Sequence, residues 1–98
     1  MMFPKFHYVR DKNRLKAVAA LPCQLCGKQG ETQASHSNQA IHGKGRGIKA
    51  SDIYTAALCK TCHYQIDQGK ELTARERDTL WTRAYLRTEK LLNANTSN

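Results

Sequence analysis

The stretch Cys59-Lys60-Thr61-Cys62-His63-Tyr64-Gln65-Ile66-Asp67 carries two metal-binding signals in one short element. Cys59 and Cys62 form a CxxC knuckle, while His63 and Asp67 stand four residues apart and share one face of a helix that begins near Thr61. Adjacent helical residues point about 100° apart, so Cys62 can face one ion and His63 another. One end of the element has the character of a structural site, the other of a chemical one.

A second knuckle, Cys23-Gln24-Leu25-Cys26-Gly27, matches the first: thiolates at this spacing ligate one ion, and Gly27 allows the positive φ of the turn that follows. Thirty-two residues separate Cys26 from Cys59, more than in a compact zinc ribbon, so something is inserted between the knuckles. A four-thiolate zinc site accounts for the pattern best, with a rubredoxin-like iron, free structural thiols and redox pairs as alternatives. The inserted segment contains His36 at the end of a candidate strand and the loop Gly43-Lys44-Gly45-Arg46-Gly47-Ile48-Lys49. Glycine at alternate positions lets backbone N–H groups approach an anion, and Lys44, Arg46 and Lys49 add charge, so this loop is a candidate phosphate cradle. The GK[ST] ending of a nucleotide P-loop is missing.

These groups need positioning. Asp11 is an N-cap for a helix to about Ala20, with Leu15, Val18 and Ala19 inward, Lys12, Arg14 and Lys16 outward, and Leu21-Pro22 as its end. Residues 32–37 read as a strand with Gln33, Ser35 and Ser37 on one face and Thr32, Ala34 and His36 on the other. A loop covers 38–52, a second strand 53–58 delivers Cys59, and Gly69 stops the short helix. Thr73-Ala74-Arg75-Glu76 is a capping box that opens a helix to about Leu92. Leu80, Trp81, Ala84, Tyr85, Leu91 and Leu92 form its buried stripe, Arg83, Arg87 and Lys90 one edge, and residues 93–98 a frayed tail.

The 98 residues suffice for one domain with a thin core, since a chain this short buries only roughly two-thirds of its unfolded surface. Ordering costs about 1.5 kcal/mol per residue, so a staple is expected, and a structural zinc contributes on the order of 10–16 kcal/mol. A net charge of +8, from 16 Lys and Arg against 8 Asp and Glu, favours a polyanionic partner, nucleic acid first. No stretch is long and apolar, which argues against a membrane. The N-terminus carries Lys5, Arg10 and Lys12 without an apolar run, so no secretory signal is expected and a cytoplasmic location is. Thiols stay reduced there, which favours metal over disulfides. Composition does not set the oligomeric state.

The order CxxC, strand ending in His, Gly-rich loop and LCxxCHxxxD resembles HNH endonucleases, the zinc-knuckle branch of the His-Me finger (ββα-metal) superfamily. AxxSHxxxxxxHGKGRGIKASD followed by ALCKTCHYQID is similar to small phage and prophage nucleases of the YbcO type and to the nuclease domain of the phage recombination protein Ref. The resemblance covers residues 22–68. It implies a small α+β fold with a zinc-knuckle-stabilised ββα-metal core, flanked by an N-terminal helix and a longer C-terminal helix. It makes His36 the general base, His63 and Asp67 the ligands of a catalytic Mg²⁺ or Mn²⁺, and Cys23, Cys26, Cys59 and Cys62 the ligands of a structural Zn²⁺.

Each role also has a physical reason. Phosphodiester hydrolysis needs a base near neutral pH and a Lewis acid on the phosphate. Two positions depart from the family pattern. Ser35 stands where a third ligand, Asp or His, precedes the base, and Tyr54 falls near the place of the middle Asn; Asn38 or Asp52 would orient His36 instead, and His42 is an alternative base or ligand. The expected function is a metal-dependent DNA endonuclease of low sequence specificity leaving 5′-phosphate and 3′-hydroxyl ends, in a phage or prophage recombination setting. The rival is a non-catalytic, zinc-stabilised nucleic-acid-binding module.

Overall fold

A computed structural model describes residues 8–45 and 47–96. Their order is helix α1 (Lys12–Ala19), strand β1 (Thr32–His36), a 3₁₀ turn (Ala40–His42), strand β2 (Thr55–Cys59), helix α2 (Lys60–Gln68) and helix α3 (Ala74–Thr96). The strands pair antiparallel, with Thr32 opposite Cys59 and His36 opposite Thr55. Alternation then separates the two faces of this small sheet. Ala56 and Leu58 pack with Ile66 of α2 and with Trp81 and Ala84 of α3, while the other face, through Thr55, takes hydrogen bonds from Arg14 of α1.

The local rules set the element ends. Asp11 caps α1, its side chain accepting from the Arg14 N–H, and the helix closes on Ala20 before Pro22. Thr73 and Glu76 form the capping box of α3 reciprocally, at 2.9 and 3.1 Å. Cys59 is the N-cap of α2, its sulfur accepting the Cys62 N–H at 3.5 Å.

Several expectations shift. Strand β2 starts at Thr55 and not at residue 53, because Ser51–Tyr54 form a turn closed by Tyr54 N–H to Ser51 C=O and by Thr55 Oγ1 to Asp52 C=O. Gly69 ends α2 with φ −65°, so its value is not a left-handed turn; a Cβ there would lie 2.5 Å from the Gln65 carbonyl oxygen. Arg14 turns inward, donating to Thr55 and pairing with Glu89 of α3, while Ala19 is exposed. Leu80, Trp81, Ala84 and Tyr85 of the expected α3 stripe belong to or pack on the core, but Leu91 is exposed and Thr88 is buried in line with Trp81 and Ala84. Thr88 is buried because its hydroxyl bonds to Ala84 C=O and accepts the Ala57 N–H from the open edge of β2. Gln24 N–H bonds to Ala57 C=O on the same edge, so the sheet presents no free strand there. Helix α3 continues to Thr96, since nothing from Asn93 to Thr96 breaks a helix; of the expected tail only 97–98 lie outside the described residues.

The core is thin, as the length implies. Its buried apolar members are Cys23, Ala56, Leu58, Cys59, Ile66, Trp81 and Ala84, two of them cysteines of the knuckles. Trp81 and Tyr85 stack at 5.1 Å between ring centres and belong to this packing. Among the described residues no helix is long and apolar enough to cross a membrane.

Candidate functional site

The two knuckles meet. Gly27, at φ +82°, reverses the chain after Cys26, and its N–H bonds back to Cys23 C=O, turning both sulfurs of the first pair toward the start of α2. The ligand atoms of Cys23, Cys26, Cys59 and Cys62 all lie within 4.8 Å of one another, and Cys26 and Cys59 sulfurs are 3.6 Å apart. Thiolates about 2.3 Å from a tetrahedral zinc would be separated by about 3.8 Å, so the spacing suits that ion, whereas a disulfide needs about 2.05 Å. Burial opposes charge on Cys23, yet N–H groups of Cys26, Cys59 and Leu25 directed at its sulfur lower its pKa to about 6. Burial and the neighbouring sulfurs push Cys62 up. The set is thus arranged to share charge around one centre, with two members, Cys23 and Cys59, only 2% exposed.

The far end of α2 is open. His63 Nε2 lies 3.0 Å from Asp67 Oδ2, one helical turn on. His63 Nδ1 meets Gln33 Oε1 of β1 at 2.8 Å, and Asn38 Nδ2 donates to Asp67 Oδ1 at 2.6 Å. The ring and the carboxylate stand at a separation that suits either a direct hydrogen bond or a shared cation. Two donors each about 2.1 Å from an octahedral ion at right angles would lie about 3.0 Å apart, which is also the length of an ordinary N–H···O bond. Burial alone would raise the Asp67 carboxyl, but the bonds from His63 and Asn38 and the Arg77 charge hold it below the usual carboxylate range.

His36 has a different partner. Its Nε2 lies 2.7 Å from Asp52 Oδ1, and Asp52 is 4% exposed. The other Asp52 oxygen accepts the Asp11 N–H at 2.7 Å, and Arg10 approaches the first at 3.5 Å. Burial again opposes the charge, and these contacts more than offset it, leaving Asp52 ionised well into acid. Asp52, not Asn38, therefore orients His36. The alternation of β1 assigns His36 to the α1 side and Gln33 to the α2 side. Asn38, only two residues after His36, nevertheless reaches Asp67, so the α-carbons of His36 and Asn38 are at most about 7 Å apart.

Ser35, in the position of the expected third ligand, is fully buried; its hydroxyl has no hydrogen-bond partner and its carbonyl accepts from Trp81 Nε1. His42 is a packing residue: its ring stacks on Tyr54 at 4.5 Å, Nδ1 bonds to Ser37, and burial lowers its pKa. In the glycine loop, Gly45 and Ile48 exchange both backbone bonds at 3.1 Å, while the N–H groups of Gly43 and Lys44 bond to Ala40 and Gln39 carbonyls. The N–H groups expected to cradle an anion are thereby largely spent, leaving the side chains of Lys44 and Lys49; Arg46 lies outside the described residues. Gln33 had no signal in the sequence beyond its face of the strand, because its partner is thirty positions away.

Three helices around a two-stranded antiparallel sheet, with four cysteines gathered where they could hold a zinc ion, define a small α+β protein with a candidate metal centre. A family model described as "Protein of unknown function (DUF968)" matches residues 1–81, and the chain belongs to that family. No curated protein and no solved structure matches it significantly.

Proposed function

We propose that the protein is a metal-dependent endonuclease of the HNH type acting on DNA, stabilised by zinc on its four cysteines. The observation that carries this reading is the His63–Asp67 pair, an imidazole and a carboxylate 3.0 Å apart at the solvent-facing end of α2, each with an outer amide partner, Gln33 and Asn38, of the kind that orients metal ligands. The succession strand, loop, strand, helix around that pair agrees with a ββα-metal core. The net charge of +8 supports a polyanionic substrate.

Within this reading, Asp52 holds His36 by accepting from Nε2–H, so Nδ1 keeps its lone pair and takes a proton from water attacking the phosphorus. Asp52 stays ionised and stabilises the imidazolium that results. Lys44 and Lys49 hold the backbone of the nucleic acid, and His63 and Asp67 would hold a divalent ion beside the scissile phosphate. A divalent ion bound there supplies Lewis acidity to the phosphate and the departing 3′ oxygen.

Plasmid nicking with added Mg²⁺ or Mn²⁺ tests the proposal. The parent protein is expected to nick, and His36→Ala to lose about 10²–10⁴-fold in rate; equal cutting by the two removes His36 from the mechanism. The burial of Ser35 at the third-ligand position favours a second reading, a zinc-stabilised binding module without catalysis. That module would bind nucleic acid with steep salt dependence and nick under no divalent ion.

A further inference from the structure

Tyr64 is 59% exposed, which by itself means little, since single exposed aromatics are ordinary. Its surroundings are more specific. It lines the same concavity of about 240 Å³ as His63 and Asp67, with Lys60 one helical turn before it and Gln33 across from it on β1. The other described aromatic side chains are engaged: Tyr54, Trp81 and Tyr85 pack with His42, and Tyr8 bonds to Gly43 and lies near Arg10. Among the described residues Tyr64 is the aromatic without a ring or hydrogen-bond partner, and it stands beside the one imidazole–carboxylate pair that is open to solvent. A second concavity, of about 290 Å³ over Ile66 and Trp81, meets the first at Asp67.

An exposed flat ring next to a cation, at the edge of a shallow concavity, suits a stacked nucleobase whose phosphate Lys60 neutralises. In a duplex the faces of a base are already covered by its neighbours and its edge is paired, so only an unpaired base can lie on Tyr64. We infer that Tyr64 is a stacking platform and that the substrate is a nucleic-acid strand unpaired at the site, either single-stranded or at an open end or branch. This rests on the proposed function only in taking the His63–Asp67 face of α2 as the side on which nucleic acid lies.

Fluorescence anisotropy with no added divalent ion separates binding from cutting. A labelled single strand is expected to bind about tenfold more tightly than the blunt duplex of the same sequence. Tyr64→Ala should weaken the single strand by about tenfold and the duplex by less than about twofold, while Tyr64→Phe retains parental binding. Single-strand binding by Tyr64→Ala equal to the parent, or a parental preference for duplex, overturns the inference. Tyr64-dependent binding with no nicking under any ion would leave this inference standing and remove the nuclease; nicking of closed duplex unaffected by Tyr64→Ala would do the reverse.

Discussion

The two ends of α2 are built on different terms. At its start Cys59 and Cys62 join Cys23 and Cys26, two of the four sulfurs are 2% exposed, and the cluster is continuous with the apolar core. At its end His63 and Asp67 are about a third exposed, their partners are amides, and a concavity opens over them. A structural metal site closes all its positions with protein ligands, whereas a catalytic one keeps positions for water and substrate. On the proposed function the same nine-residue helix holds the fold at one end and acts at the other, so damage at the two ends should be separable.

Breaking the closed end should have the larger effect. Cys59→Ser removes a ligand and alters the cap of α2 together, and zinc binding on the order of 10–16 kcal/mol exceeds what a thin core supplies. The variant is expected to lose bound zinc and most of its helical circular dichroism, measured together with metal analysis. Breaking the open end should leave the fold alone: His63→Ala is expected to keep zinc and its melting temperature while nicking falls by more than about 100-fold. Gln33→Ala, which removes only the outer partner of that imidazole, should weaken Mn²⁺ binding by about 10–100-fold in a calorimetric titration.

The smallest effect is one of pH. Asp52 and Asp67 have folded pKa values below their unfolded ones, so between the two values the unfolded chain binds more protons and stability rises with pH. Their contribution is complete above about pH 4 and is lost as pH falls through the lowered values. Urea midpoints fall toward acid also because the thiolates protonate and release zinc, so the aspartate contribution is the difference from Asp52→Asn, whose midpoint should fall less steeply with pH.

What the sequence disclosed was what is local. The knuckles, the Asp11 cap and the Thr73–Glu76 box depend on spacings of two or three residues, and each stands where the spacing puts it. The misplacements on α1 and α3 share an origin, which is that long-range polar partners outrank hydropathy. Arg14 is drawn in by Thr55 and Glu89, and Thr88 is buried because the β2 edge needs an acceptor, while Leu91 one turn on is 37% exposed. The link between His36 and Asp52 spans sixteen positions, and the sequence could narrow the orienting group only to Asn38 or Asp52. The glycine loop promised free N–H groups, but the same flexibility lets Gly45 and Ile48 pair with each other.

The central claim is that His63 and Asp67 hold a second ion distinct from the one on the four cysteines. Crystals grown with zinc in the cysteine site and soaked in Mn²⁺ test it by anomalous scattering. A manganese peak about 2.1–2.2 Å from both His63 Nε2 and Asp67 Oδ2 is the expected result. Zinc at the sulfurs with no manganese at this pair, under conditions where the protein nicks DNA, would contradict it.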